Sequence, residues 1–253
     1  MLSKNKMECF VRLLVLVAVF LVPYSAAEKF QILANELKLD EGAYFLEDHD
    51  AILLNSVDDV RANGVAFIPE EVSSSFGMFD QVTKLDFKLL TEKDNSCDYN
   101  DEAFLLAFGS EFHCAFNHLA NIPPDVERCT GVYLYIMTNK RDENVKQGVY
   151  LFSGHELKYY WEQEPSWFIN ISRITVAIKP GANKRTGDTV LEIKIDKKAL
   201  PKVTYTPSDD VIDSRKVWFM GTTEEECGAS HEVYDFWVKT RDDALLEAYD
   251  DDE

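Results

Sequence analysis

The sequence predicts an all-β protein that folds as an antiparallel β-sandwich. Its body contains about a dozen short segments whose apolar residues either alternate with polar ones or run uninterrupted, which is typical of strands in packed sheets. No stretch of the body sustains the apolar period of about 3.6 residues that an amphipathic helix shows. Hydrophobic residues make up 46% of the 253 positions, with no linker, low-complexity tract or internal repeat. Since single all-β domains commonly reach about 200–250 residues, we expect one β-sandwich domain over residues 28–241.

The predicted strands follow one another with turn-forming residues between them. Residues 103–108 (AFLLAF) are almost wholly apolar and predict a central strand buried on both faces. The alternation in residues 83–89 predicts that Thr83, Leu85, Phe87 and Leu89 face inward. Residues 180–188 are rich in Pro, Gly and Asn and predict a hairpin between two alternating strands. The predicted strands are residues 31–39, 44–46, 51–54, 65–68, 83–89, 103–108, 131–137, 148–152, 156–161, 173–179, 189–196, 217–220 and a last strand that begins at His231.

The last two strands flank a polar connection. Residues 217–220 lead into Gly221, and a polar loop continues from Thr222 to Ser230 before His231 opens the final strand. A period of two predicts that Tyr234, Phe236 and Val238 share one face, with Val233, Asp235 and Trp237 on the other.

The first 27 residues have the pattern of a secretory signal peptide. Lys4, Lys6 and Arg12 provide a basic start, and residues 13–22 form a ten-residue apolar run. That run is shorter than the roughly 20 residues a membrane-spanning helix needs. Residues 25–27 (Ser-Ala-Ala) complete the pattern as a small-residue cleavage signal. We therefore expect a protein that is secreted or lies in the lumen of the secretory pathway, without a membrane span.

The chain is strongly acidic. Its formal net charge is −19, and removal of the leader, which carries +2, makes it −21. Such a chain repels nucleic acid and anionic membranes, and it suits neutral glycans, cations or basic proteins. Residues 242–253 form an acidic C-terminal tail, within which residues 242–248 are the best helical candidate.

Cysteines and one sequon fit the secretory compartment. Cys97, Cys114, Cys129 and Cys227 remain after cleavage, and an even count in an oxidising compartment predicts two disulfides with three possible pairings. Loop length favours Cys114 with Cys129 and Cys97 with Cys227. Asn170 begins an Asn-Ile-Ser sequon for N-glycosylation.

Four stretches, in this order along the chain, resemble L-type (legume-like) lectins. They are residues 64–69 (GVAFIP), the acids Asp101 and Glu102 before AFLLAF, residues 133–142 (YLYIMTNKRD), and the last two strands with their Gly-bracketed loop. The resemblance spans roughly residues 30–240 and implies a concanavalin A-like jelly roll with a sugar site at the rim. The carbohydrate-binding residues that it implies are Asp101, Glu102, Asn139, Asp142, Gly228 and His231.

The family's calcium loop departs from its usual pattern in this chain. Met137 stands where the family places a carboxylate, and Asn139 and Asp142 are the remaining oxygen ligands. Calcium takes about six to eight oxygens, so the Ca²⁺ ligand set is incomplete. We expect no cofactor, and Ca²⁺ stays the open alternative. The glycine that follows the family's sugar-binding acid is replaced by Glu102 or Ala103, depending on alignment.

Two further groups carry candidate chemistry. In the first group, Glu162 and Glu164 are flanked by Tyr159, Tyr160, Trp161 and Trp167. The aromatic residues and the acids could form a glycan groove, or the two carboxylates could act as the pair of a retaining glycosidase. We favour an aromatic strand that packs in the core. The clusters Glu47, Asp48, His49, Asp50 and Asp98, Asn100, Asp101 are oxygen-rich, but neither has the spacing of an EF-hand, and we favour solvated acidic turns.

These observations leave three hypotheses. We favour a non-catalytic lectin-like protein that binds glycans or glycoproteins. The alternative is a protein-binding sandwich that has lost sugar binding, and the third, less favoured, is a glycoside hydrolase on the same scaffold. The sequence contains no HExxH, GxSxG, P-loop or GxGxxG motif, so we expect no enzyme activity.

Overall fold

The computed structural model describes residues 29–40, 42–55, 63–93, 103–109, 131–137, 147–162, 172–180, 188–206, 215–222 and 229–240. In these residues, strands form two antiparallel sheets. The larger sheet contains β1 (Lys29–Ile32), β3 (Tyr44–Leu46), β4 (Ala51–Asn55), β6 (Thr83–Lys93), β11 (Ser172–Pro180), β12 (Thr189–Ile195), β13 (Lys198–Ala199), β14 (Val203–Tyr205) and β16 (Ala229–Thr240). The smaller sheet contains β2 (Lys38–Asp40), β5 (Asn63–Ile68), β7 (Ala103–Phe108), β8 (Val132–Met137), β9 (Gly148–Ser153), β10 (Glu156–Glu162) and β15 (Val217–Thr222).

Strand order departs from chain order in both sheets. The nine-stranded sheet runs β13-β12-β11-β6-β16-β4-β3, with β1 also paired to β16 and β14 to β12. The seven-stranded sheet runs β10-β9-β8-β7-β15-β5-β2. The chain crosses between the sheets several times, and the C-terminal strands β15 and β16 lie inside their sheets beside strands from the first half of the chain. This is an all-β antiparallel sandwich, so the predicted fold class is confirmed.

The core lies between the two sheets. Phe87 of β6 is at its centre, with ring centroids 5.1 Å from Phe219, 5.9 Å from Phe236 and 6.3 Å from Phe104. Thr83, Leu85, Phe87 and Leu89 are all buried, as the alternation predicts. Strands from both sheets contribute to this one cluster. Burial of its apolar area therefore stabilises the packing of the two sheets against each other.

A second buried cluster lies on the other face of the seven-stranded sheet. Successive residues of a strand point to opposite faces, and Leu105 and Ala107 alternate with the core residues Phe104 and Leu106. The cluster is rich in large side chains, which include Tyr133, Tyr135, Tyr150, Phe152, Trp218 and Met220. Burial on both faces explains why residues 103–108 read as one continuous apolar run, and this prediction is confirmed.

Four differences from the sequence predictions concern short elements. Predicted strand 31–39 is two strands, because a 3-10 turn at Ala34–Glu36 sends β1 and β2 to different sheets. Helix α1 (Glu70–Ser75) was not predicted, since six residues cannot show a helical period. Strands β13 and β14, of two and three residues, were not predicted either.

The prediction of which β16 side chains face the core is wrong, because the strand contains a bulge near Asp235. A register shift between Tyr234 and Trp237 places three steps of β16 against two steps of β6. Asp235 takes a φ of 57° there, so the extra residue reverses the alternation. Val233, Phe236 and Val238 are therefore the inward set, and the prediction that Tyr234 shares a face with Phe236 fails. Gly221, predicted as the end of its strand, lies within β15.

Several predictions fall outside the described residues. These are the leader 1–27, the tail 242–253, Cys97, Cys114, Cys129, Cys227 and the sequon at Asn170. Within the described ranges, no helix combines the length and hydropathy that crossing a membrane requires.

Candidate functional site

Many strand ends meet at one end of the sandwich. In the seven-stranded sheet, the first residue of β7, Ala103, is opposite both the last residue of β8, Met137, and the last of β15, Thr222. Register continues this edge to Gly148 and Glu162 on one side and Asn63 on the other. In the nine-stranded sheet the matching edge holds Asn55, Lys93 and the first residues of β16. We call this edge the loop end.

The predicted sugar contacts are adjacent in sequence to the loop end. Asp101 and Glu102 immediately precede Ala103, Asn139 and Asp142 follow Met137, and Gly228 precedes β16. These five residues lie outside the described residues, as do the segments that join the strand ends, 56–62, 94–102, 138–146, 163–171 and 223–228. The described strands thus bring the flanks of every predicted contact to one end, although the contacts themselves stay predictions.

His231 is the predicted contact that the structure describes, and it lies beneath the surface. It is the third residue of β16, faces the space between the sheets and is fully buried. Its Nδ1 lies 2.9 Å from Oδ1 of Asn55, and its ring centroid lies 6.4 Å from that of Phe104. A side chain in this position can support the loop end but does not reach a ligand on the outside.

Asn55 is the functional candidate that sequence reasoning missed. It is the last residue of β4, and it is fully buried opposite His231. The two residues are 176 positions apart, and asparagine at a strand end usually indicates a turn. No pattern in the sequence connects them, so the pair becomes visible once the register of β4 and β16 is known.

The backbones of the two sheets approach closely around this pair. A Cβ on Gly221 would lie 2.2 Å from Oδ1 of Asn55, and a Cβ on Gly64 would lie 1.3 Å from the carbonyl oxygen of Leu54. Real Cβ atoms do not sit at such distances, so both positions require glycine. The two glycines let β5 and β15 close down on the end of β4, where the buried pair joins β4 to β16.

Burial also sets the charge of His231. The desolvation of the imidazolium lowers the pKa of His231 to about 3. The ring is thus neutral at physiological pH. In the neutral form, Nδ1–H donates to Asn55 and Nε2 is an acceptor, which has no hydrogen-bond partner in the described part of the chain.

The aromatic strand β10 packs as a structural element. Tyr159 and Trp161 are partly buried against the core between the sheets, and Tyr160 packs on the opposite cluster. The Tyr160 hydroxyl donates to the Gln147 carbonyl oxygen at 3.1 Å. Glu162 ends β10 at the loop end and is exposed, while Glu164 and Trp167 lie outside the described residues. The favoured interpretation of this segment, an aromatic strand in the core, is confirmed for the described part.

The acidic turn Glu47–His49 is local structure. It forms a 3-10 turn, and Glu47, Asp48 and His49 are exposed. Asp50 follows with a φ of 47°, and its Oδ1 accepts a hydrogen bond from the Ala34 amide at 3.0 Å. The second oxygen-rich cluster, Asp98, Asn100 and Asp101, lies outside the described residues.

One described residue, Met137, bears on the calcium site that the resemblance to L-type lectins implies, whereas Asn139 and Asp142 lie outside the described residues. The described residues contain no group of three or more His, Cys, Asp or Glu side chains that could hold a metal ion. Met137, at the position where the family has a carboxylate, is 2% exposed and buried in the second cluster. A thioether is a poor ligand for a hard cation such as Ca²⁺.

Comparisons with known proteins agree with the architecture. No family model matches the chain, and no curated protein matches it. The fold is similar to the exoplasmic/lumenal domain of VIP36 in its Ca²⁺/Man2-bound form (TM-score 0.53, 7% identity, 82% of each chain covered). It is also similar to the potassium-bound carbohydrate recognition domain of Emp46p (0.52, 9%, 81% of this chain and 88% of that one) and to lectin II from Ulex europaeus (0.51, 12%, 85% and 98%).

The fold is therefore a concanavalin A-like β-sandwich, similar to that of these three structures. Sequence identity to them is between 7% and 12%. At that identity the likeness establishes the fold.

Proposed function

We propose that this chain is a non-catalytic lectin-like protein of the secretory pathway that binds glycans or glycoproteins at the loop end. One observation carries the proposal: the ends of β7, β8, β15 and β16 that adjoin the predicted contacts lie at the same end of the sandwich. A sugar site needs several polar groups that converge on one ligand. Residues far apart in sequence can converge when their flanking strand ends do.

Each predicted contact has a chemical role. The carboxylates of Asp101 and Glu102 accept hydrogen bonds from sugar hydroxyls, and the Asn139 amide both donates and accepts. Asp142 offers a further acceptor from the same connection. Gly228, which has no side chain, allows a sugar ring to approach the backbone. The buried pair His231–Asn55 holds the start of β16, directly after Gly228, in register with β4.

The leader, cysteines and sequon support the compartment. Residues 1–27 are proposed as a signal peptide, residues 28–241 as one domain and residues 242–253 as an acidic tail. Cys97, Cys114, Cys129 and Cys227 are proposed to form two disulfides, and Asn170 to carry a glycan. That the similar VIP36 domain is described as exoplasmic/lumenal supports secretion or a lumenal location for this chain.

The test is a glycan array probed with the full chain, in calcium and in chelator. We expect binding to a subset of glycans, and a loss of at least about tenfold in the variant Asp101→Ala/Glu102→Ala, since each lost charge-assisted hydrogen bond is worth about 1.5–3 kcal/mol. Glu156→Gln is the matched control, because this exposed acid lies on β10 at the end remote from Glu162. Its affinity should be unchanged.

Three outcomes would count against a non-catalytic glycan-binding protein. A chain that binds no glycan, with or without calcium, would overturn the proposal. Capture of a basic protein partner that survives glycosidase treatment would then favour the protein-binding alternative. Polysaccharide turnover that is lost in Glu162→Gln would indicate the hydrolase.

A further inference from the structure

Apolar side chains are exposed together on one side of the sandwich. In the described residues, the large hydrophobic side chains that stay exposed are Leu33 (45%), Leu39 (37%), Tyr44 (42%) and Leu157 (49%). The first three fall within residues 33–44, whereas Leu157 lies on β10, at the opposite edge of the smaller sheet. Single exposed apolar residues are ordinary on a protein surface, but a group of them marks a candidate interaction site.

Both sheets end on the side that carries the three clustered residues. β2 is the last strand in the order of the seven-stranded sheet, and β3 is the last in the order of the nine-stranded sheet. A short turn joins the two strands and is closed by a hydrogen bond from the Ala43 amide to the Asp40 carbonyl oxygen at 3.3 Å. Leu39 and Tyr44 therefore flank one turn, and Leu33 begins the 3-10 turn that leads from β1 into β2. We call Leu33, Leu39 and Tyr44 the edge patch.

Strand β2 presents its whole length to solvent. Lys38, Leu39 and Asp40 are all exposed, and among the described residues β5 is the strand that pairs with β2. An exposed strand at the edge of a sheet is where a second chain can approach most closely. The edge patch is therefore accessible along β2 and at both ends of it.

The charges on either side of Leu39 are self-complementary. Lys38 precedes Leu39 and Asp40 follows it, and the alternation of a strand places both charged side chains on the same face. If two copies meet through a twofold axis at Leu39, their β2 strands run antiparallel, so Lys38 of each copy lies opposite Asp40 of the other. Opposite charges that face each other across neighbouring strands stabilise the pairing.

These intermolecular pairs add to contacts that the same residues make within the chain. Lys38 lies 3.7 Å from Glu71, with both side chains largely exposed, and Asp40 also has a partner of its own. An exposed ion pair of this kind is weak and is easily shared with a third charge. Neither residue therefore has to give up its present contact when a second copy approaches.

We propose that the edge patch is a self-association surface, on which a second copy of this chain docks through a twofold axis near Leu39. Each copy supplies the apolar surface that the other needs, and the order Lys38-Leu39-Asp40 matches itself when the strands run antiparallel. The patch is small beside a standard interface of about 800 Å² per partner, so the dimer is weak and depends on concentration.

The dimer leaves both loop ends open. Asp40 is opposite Val65, close to the loop-end residue Asn63, so β2 runs towards the loop end. Antiparallel β2 strands therefore turn the loop ends of the two copies in opposite directions. Self-association does not depend on sugar binding, and a failure of either proposal leaves the other untouched.

Sedimentation velocity of the full chain, from about 1 μM to about 1 mM, tests the association itself. We expect a reversible equilibrium between monomer and dimer within this range. A chain that stays monomeric throughout would overturn the proposal. Assemblies that keep growing with concentration would also overturn it, because a twofold interface closes after two copies.

Replacement of the apolar side chains tests the surface. The variant Leu39→Asn/Tyr44→Ser should raise the dimer dissociation constant at least about tenfold, since a few central residues dominate small interfaces. Leu157→Asn is the matched control, because Leu157 is at least as exposed and lies at the opposite edge. It should leave the constant unchanged. An equal effect of both variants would mean that the edge patch is not the interface.

Charge reversal tests the twofold arrangement. Lys38→Asp and Asp40→Lys should each weaken the dimer, because each places like charges opposite one another. The double variant Lys38→Asp/Asp40→Lys should recover most of the association, and melting temperatures of all three check that the fold is intact. A double variant that associates no better than the single ones would contradict the antiparallel arrangement. A monomeric chain that captures a different protein through Leu39 would show that the occupant is not a second copy.

Discussion

Nδ1 of His231 lies 2.9 Å from Oδ1 of Asn55, and both residues are fully buried at the loop end. The contact joins the start of β16 to the end of β4. Around it, Gly64 and Gly221 let the other sheet approach to a distance that no side chain would permit. These contacts join strands of both sheets at the base of the loop end.

The buried imidazole predicts a loss of stability in mild acid. The pKa of His231 is lowered to about 3 by burial, whereas an unfolded histidine titrates near 6.5. Between these two pKa values His231 is protonated in the unfolded state but not in the folded state. The free energy of unfolding therefore falls as pH falls below about 6.5. From pH 7 to pH 5 we expect this one group to cost about 2 kcal/mol. Urea unfolding at both pH values measures it.

His231→Gln is the variant for comparison, since an amide can still donate to Asn55 and does not titrate. Its overall stability should be lower at pH 7, because the ring leaves a cavity, but its change between pH 7 and pH 5 should be about 2 kcal/mol smaller than that of the unmodified chain. An identical pH dependence in both proteins would mean that the imidazole is not desolvated in solution.

The close approach of β5 to β4 predicts that Gly64→Ala is strongly destabilising. The new methyl would meet the Leu54 carbonyl oxygen at 1.3 Å, which forces the two sheets apart at the loop end. We expect a loss of about 3 kcal/mol or more in the free energy of unfolding. Gly154→Ala serves as the comparison, because its φ of 56° brings backbone strain worth about 1–2 kcal/mol. Similar costs at both positions would contradict the predicted close approach.

On the outer face of the larger sheet, the hydrogen bond from Thr175 to Asp86 predicts that removal of the Thr175 hydroxyl lowers stability. Asp86 is 2% exposed, and its Oδ1 accepts a hydrogen bond from Thr175 Oγ1. Thr175→Val keeps the shape of the side chain and deprives a buried carboxylate of a donor, which should cost about 1–3 kcal/mol. Thr204→Val, at an exposed position of β14, should change stability by no more than about 0.5 kcal/mol. Denaturant unfolding of both variants compares them.

The bulge in β16 predicts that glycine is more stabilising than alanine at position 235, which is the reverse of their usual order in a strand. Asp235 has a φ of 57°, a conformation that costs alanine about 1–2 kcal/mol and glycine nothing. Both variants lose the bonds to Lys88 and Trp237, so Asp235→Gly should be more stable than Asp235→Ala by about 1 kcal/mol. At Ala177, in regular strand on β11, glycine should instead be the less stable residue by about 0.5–1 kcal/mol. The same order at both sites would argue against the bulge.

Much of the strand content was predictable because alternation is a local property. The continuous apolar run of residues 103–108 predicts burial on both faces, and the alternation of residues 83–89 predicts burial on one face. The structure confirms both. The resemblance to L-type lectins also led to the correct fold from an ordered set of short stretches. The elements that were missed, such as helix α1, are too short for any period to appear.

The sequence alone determined where strands form and that they build a two-sheet sandwich, because each strand carries its own pattern of buried and exposed residues. Only the tertiary structure decided which residues meet. Asn55 and His231 are 176 positions apart, and the register of β4 and β16 places them opposite each other. The faces of β16 depend on one extra residue that the ladder with β6 leaves unpaired. Register and bulges are set by pairing between distant segments, so no local pattern can encode them.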